Sequence, residues 1–137
     1  MAPVILVVED NVLFQEVLEW SLVEGGYAVQ QAYSGEEAIK ILDANGAQYK
    51  ALIVDVNLGS LVTGWDVARR ARELFTGLPV IYATSLAIDE WSSKGVPNSV
   101  LLTKPFAPEQ IVTALSQLLN SASTNKPRVQ SDTRPSL

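Results

Sequence analysis

Three carboxylates, a hydroxyl and an amine stand directly after four short apolar runs, a set of groups that could hold a divalent cation and receive a phosphoryl group. Residues 4–8 lead into Glu9-Asp10, 51–54 into Asp55, 80–83 into Thr84, and 100–102 through Thr103 into Lys104-Pro105. Hard cations take oxygen ligands, and a phosphoryl group needs its charge neutralised from several sides. Two like charges about 4 Å apart cost on the order of 4 kcal/mol at an effective dielectric near 20. Glu9, Asp10 and Asp55, once brought together, would therefore call for a cation. Mg2+ suits an open site because it keeps several waters and uses only one or two protein carboxylates.

Each residue then has a chemical role and a plainer one. A carboxylate oxygen of Asp55 would attack phosphorus in line, with the metal bridging attacking and phosphoryl oxygens. Asn57, two residues on, can offer its backbone carbonyl to the same ion. Thr84 would donate a hydrogen bond to one phosphoryl oxygen, and Lys104 would bring a point charge to another. Taken singly, Asp10 or Asn11 could cap a helix, as could Asp55, while Thr84 could be an ordinary strand-end threonine and Lys104 a solvated lysine.

The elements that must position these groups follow from the pattern of the chain. Its 137 residues, 47% apolar, suffice for one domain with a single core. Strands are expected near 4–8, 27–32, 51–55, 79–84 and 99–103, and helices near 11–24, 34–45, 64–75, 87–94 and 107–119. Ser34 and Asp10 or Asn11 serve as N-caps, and Gly25-Gly26, Gly46 and Gly77 as stops. Five strand–helix alternations predict an α/β fold, a flavodoxin-like, doubly wound parallel sheet in the order 2-1-3-4-5 with five helices. Ligands of such sheets bind beyond the carboxyl ends of the strands at the point where strand order reverses, so Glu9-Asp10 and Asp55 would flank one crevice.

Composition excludes several chemistries. The chain has no cysteine and no histidine, which removes disulfides, thiolate metal sites, the usual zinc ligand and the usual general base. Residues 1–120 hold fourteen acids against seven bases, so nucleic acid is not an expected partner of this body. No apolar run approaches the roughly 20 residues that span a bilayer, and no leader pattern is visible, so a cytoplasmic protein without membrane contact is expected. Residues 121–137, rich in Ser, Thr, Asn and Pro and carrying Lys126, Arg128 and Arg134, read as a disordered basic tail after a domain at 1–120, with no output domain.

Glu9-Asp10, Asp55, Thr84 and Lys104-Pro105-Phe106, in this order at four strand ends, resemble the receiver domains of two-component response regulators. The resemblance covers residues 3–120. It implies that a sensor histidine kinase or phosphotransfer protein phosphorylates Asp55, that the acid pair binds Mg2+, and that Thr84 and Lys104 read the phosphoryl group. It also implies relay by conformational change or phosphotransfer to a downstream protein target and slow self-dephosphorylation at most; the surfaces open to a homodimer are the helix 4–strand 5–helix 5 face and helix 1. Tyr82-Ala83-Thr84-Ser85 is similar to the Phe-Ala-Thr-Gly motif of a subgroup of receivers that often stand alone, with Ser85 in place of glycine.

Other departures bear on mechanism. Leu101 stands where most receivers carry an aromatic switch residue, so movement of the 85–89 loop is expected to carry the signal instead. The loop after Asp55 is one residue longer than is common in the family and lacks its usual proline. Leu86 cannot orient a hydrolytic water, which predicts slow self-hydrolysis. In helix 1 the apolar residues Leu13, Phe14, Val17, Leu18, Trp20 and Leu22 span an arc of about 200°, twice what a core-facing helix needs, so part of that surface should face outward. Leu13, Val17 or Trp20 would dock a kinase helix pair. Three competing functions fit less well. A flavin carrier would want a Ser/Thr/Gly-rich turn where Glu9-Asp10 stands, and an aspartyl phosphohydrolase a second acid where Asn57 stands. The complete acid set also argues against a pseudo-receiver that binds partners without phosphorylation.

Overall fold

A computed structural model of the chain describes residues 1–85 and 88–124. Its elements alternate as expected: β1 (Val4–Val8), α1 (Val12–Glu24), β2 (Ala28–Ala32), α2 (Gly35–Asn45), β3 (Tyr49–Val54), α3 (Gly64–Leu74), β4 (Val80–Thr84), α4 (Ile88–Lys94), β5 (Ser99–Thr103) and α5 (Pro108–Thr124). All strand pairings are parallel and the order is β2-β1-β3-β4-β5, the doubly wound arrangement.

Strict alternation along the inner strands splits the core between the two faces of the sheet. Leu6, Val8, Leu52, Val54, Val80 and Tyr82 pack with the buried residues of α2, α3 and α4. Ile5, Val7, Ala51, Ile53, Ile81 and Ala83 pack with Leu18 and Leu22 of α1 and Ile111 and Leu115 of α5. A strand covered on both faces must be apolar at every position, which is why these segments read as continuous runs rather than alternating ones.

Caps set several helix boundaries. Asn11 accepts from the Phe14 N–H at 2.9 Å, and Ser34 from the Glu37 N–H at 3.0 Å. A reciprocal capping box, Thr63 with Asp66, opens α3. Its signal, Thr-x-x-acid before an apolar stretch, was present.

Three boundaries differ from expectation. β3 begins at Tyr49, after a 3₁₀ turn over Gly46–Gln48. α3 ends at Leu74 rather than at a stop on Gly77, because Phe75 turns extended (φ −138°) and its ring packs against Gly46. α5 continues to Thr124, one turn past the expected end of the domain at 120, since no glycine or proline interrupts residues 109–126. The rest of the expected tail, 125–137, lies outside the described residues, as do Leu86 and Ala87 of the 85–89 loop expected to carry the signal. Among the described residues, no helix is long and apolar enough to cross a membrane.

Candidate acidic phosphoacceptor site

The sheet register places the three acids side by side. Val8 of β1 lies opposite Val54 of β3, so Glu9-Asp10 and Asp55 emerge together where the two strands end. The backbone there is still fixed by ladder bonds, with Asp55 N–H donating to Val8 O at 3.0 Å and Glu9 N–H to Ala32 O at 3.0 Å. One carboxylate oxygen from each of Glu9, Asp10 and Asp55 lies within 4.8 Å of the others. Glu9 and Asp55 are buried, whereas Asp10 is exposed at the mouth. An all-oxygen set of this kind, open on one side, fits a hard divalent cation that retains waters.

The β3–α3 loop orders the outer rim. The Asn57 N–H donates to Asp55 Oδ1 at 3.2 Å, and Asn57 Oδ1 accepts from the Gly59 N–H at 3.3 Å. Gly59 adopts φ +67°, and a Cβ there would approach Asp10 Oδ2 to 3.3 Å. Glycine therefore meets both a left-handed backbone and a close carboxylate.

Thr84 and Lys104 come from the other flank. Thr84 closes β4, is 1% exposed, and pairs in register with Thr103 of β5. Its carbonyl accepts from the Lys104 N–H at 3.0 Å, tying the two strand ends together. Lys104 precedes a cis Pro105 and extends back into the crevice. Its Nζ donates to Glu9 Oε1 at 2.8 Å and to Asp55 Oδ2 at 3.0 Å.

This arrangement sets the local electrostatics. Burial lifts the Glu9 carboxyl to about 7, with the Asp55 charge adding to the rise, and the hydrogen bonds from Lys104 and the Asn11 N–H only partly oppose it. Burial alone would pull the Lys104 ammonium down, but its bonds to both carboxylates and their charges outweigh burial and hold it above the ordinary lysine range.

The five residue positions singled out for chemistry, Glu9-Asp10 counted together with Asp55, Asn57, Thr84 and Lys104, thus share one crevice. Three further contributors were not apparent from the chain alone. Phe14 places its ring 4.3 Å from Lys104 Nζ. Gln15, fully buried, donates from Nε2 to Val7 O, Ala32 O and Glu9 O at 3.0, 2.8 and 3.3 Å. Gly64 packs directly against the Asp55 backbone. Leu101, by contrast, is half-buried against the α2–α4 side of the core.

Known proteins share this architecture. Residues 5–116 match the family model described as the response regulator receiver domain. A probable transcriptional regulatory protein, SilR of Salmonella typhimurium, is 34% identical over 122 residues, 88% of this chain and 52% of that protein. The transcriptional regulatory protein CusR of Escherichia coli K12 is 32% identical over 117 residues, 84% of this chain and 50% of that protein. The chain therefore spans about half the length of these curated relatives. A response regulator receiver protein from Sinorhizobium medicae superposes with TM-score 0.84 at 38% identity, covering 88% of this chain and 96% of that one. The receiver domain of sensor histidine kinase PA1611 from Pseudomonas aeruginosa, solved with a magnesium ion coordinated in its active-site cleft, gives TM-score 0.76 at 26% identity over 88% of this chain and 100% of that one. With a family match over most of its length and the acid cluster at the carboxyl end of the sheet, the chain belongs to the response regulator receiver domains of two-component systems.

Proposed function

We propose that this receiver accepts a phosphoryl group on Asp55 from a sensor histidine kinase or phosphotransfer protein and passes the signal to a protein partner. A carboxylate oxygen of Asp55 attacks phosphorus as the bond to the donor nitrogen breaks, and the imidazole, already protonated on its other ring nitrogen in the donor, leaves neutral. Glu9, Asp10, Asp55 and the backbone carbonyl of Asn57 are the ligands for Mg2+, which when bound offsets the negative charge gathered on the phosphoryl oxygens. Lys104, held beside both carboxylates, donates to a phosphoryl oxygen, and the Thr84 hydroxyl donates to another. The phosphoryl group adds about −1.5 to −2 charges, so Thr84 and Lys104 gain a contact in one state that they lack in the other.

The observation that carries this reading is the meeting of Glu9, Asp10 and Asp55 oxygens within 4.8 Å, with Lys104 bridging two of them. Support for Mg2+ comes from the oxygen-only donor set and from the magnesium named in the PA1611 receiver structure. Incubation with phosphoramidate and Mg2+, followed by intact-mass measurement, tests it. The parent gains one phosphoryl mass and Asp55→Asn does not. Equal labelling of both, or of neither, removes Asp55 from the role.

A further inference from the structure

Lys104 is held from two directions. On one side its ammonium donates to Glu9 Oε1 and Asp55 Oδ2, and on the other it lies 4.3 Å from the centroid of the Phe14 ring. The ring is itself fixed. It meets the edge of Phe106 at 5.8 Å between centroids and 71° between planes, and it packs on the α1–α5 side of the core. Its backbone N–H is bound by the Asn11 cap, and the Asn11 N–H in turn donates to Glu9 Oε2 at 3.1 Å. One short stretch of chain therefore sets the position of the ring relative to the carboxylate that Lys104 contacts.

The face of an aromatic ring carries negative charge density and attracts a cation, more strongly where water is excluded. A lysine has a flexible four-carbon stem, and ordering it costs rotamer freedom. A ring that restrains the ammonium before the phosphoryl group arrives supplies that ordering in advance, so the charge is in place as the transition state forms. The geometry points to Phe14 as a positioning residue for phosphoryl acceptance, its ring face holding the Lys104 ammonium within the Glu9–Asp55 pair. This rests on the receiver reading above.

A second consequence separates this role from simple packing. The ammonium held between Glu9 and Asp55 occupies the same oxygens that a divalent cation needs. Weakening its restraint therefore eases Mg2+ entry while it slows phosphoryl acceptance, two effects of opposite sign. A loss of packing alone moves both in the same direction, together with the melting temperature.

Mono-, di- and trifluorinated phenylalanine at position 14 keeps the ring's shape while draining its face of negative charge. Phosphoryl uptake from phosphoramidate at saturating Mg2+ should slow stepwise, by about threefold to tenfold across the series. Mg2+ binding by calorimetry should tighten over the same series, with thermal melting little changed. Phe14→Tyr should keep the parental values, and Phe14→Leu should resemble the most fluorinated form. A flat series, or uptake and Mg2+ affinity falling together with melting temperature, overturns the role of Phe14 alone, provided that the parent takes up phosphoryl groups. A parent that takes up none overturns the receiver reading first.

Discussion

A Cβ built on Gly64 would stand 2.1 Å from the carbonyl oxygen of Asp55 and 2.7 Å from Val56 Cα, so the first turn of α3 rests directly on the backbone of the proposed phosphoacceptor. The Gly64 N–H donates to Val56 O at 2.8 Å, which prevents the helix from sliding away without losing that bond. Gly64→Ala must therefore move Asp55. Overpacking of this kind costs about 1–3 kcal/mol. A displacement near 1 Å also slows a positioned reaction by up to about 100-fold. Urea melts and phosphoryl uptake should both show the loss, whereas Gly77→Ala, with nothing within 4 Å of its Cβ, should match the parent. Indistinguishable behaviour of the two variants would contradict the close approach.

How much of this was legible in the chain depends on the distance over which each signal acts. Strand ends were readable because an apolar run buried on both faces must stop where the chain meets water, and at Val8, Val54 and Thr84 that change coincides with the residues of the crevice. The parallel order followed from alternation. The roles of Phe14, Gln15 and Gly64 depend instead on what lies opposite them. Phe14 is one more apolar residue of α1 until Lys104, ninety positions away, arrives beside its ring. The burial of Gln15 is not legible in the chain because its three acceptors are backbone carbonyls, which leave no trace in side-chain identity.

Gln15 joins α1 to the ends of β1 and β2 through a single buried amide. Replacing it with leucine removes those donors from Val7 O and Ala32 O, although Ala32 O retains the Glu9 N–H. The expected loss is about 1–3 kcal/mol, seen as a lower urea midpoint with an unchanged slope. Gln15 Oε1 is itself buried without a partner among the described residues, which offsets part of that loss, and Ser21 isolates this second effect. Its buried hydroxyl has no hydrogen-bond partner among the described residues, so Ser21→Ala should be neutral or stabilising. A Gln15→Leu midpoint equal to that of the parent would show that the amide contributes nothing net.

Glu9 makes the metal-free fold sensitive to pH. Its carboxyl rises from 4.5 to about 7 on folding, mainly through burial, so the folded protein binds this proton more tightly than the unfolded chain. Stability from this source is fully present below about pH 4.5 and is lost as pH climbs through about 7. It amounts to about 3 kcal/mol if the whole rise is expressed. Urea melts in chelator from pH 4.5 to 8 should record the decline, and Glu9→Gln should flatten it. A parental slope in Glu9→Gln would assign the effect to another group.

The exposed apolar side of α1 calls for a different measurement. Leu13, Val17 and Trp20 fall at helical spacing and are 74%, 44% and 67% exposed, while Leu18 and Leu22, with Phe14 packed against them, make the core contact of the helix. Side chains this open contribute little to folding, so Trp20→Ala should change stability by no more than about 0.5 kcal/mol. If this surface receives a sensor kinase beside Asp55, truncating a large aromatic anchor removes binding energy of the hot-spot kind, about 2 kcal/mol. Phosphotransfer from a kinase that phosphorylates the parent should then slow at least tenfold at sub-saturating receiver. Uptake from phosphoramidate, which needs no docking, should stay parental. The two donors thus divide the possible roles of Trp20: loss with the kinase alone marks a docking surface, loss with both marks a disturbed site, and loss with neither ends the docking proposal.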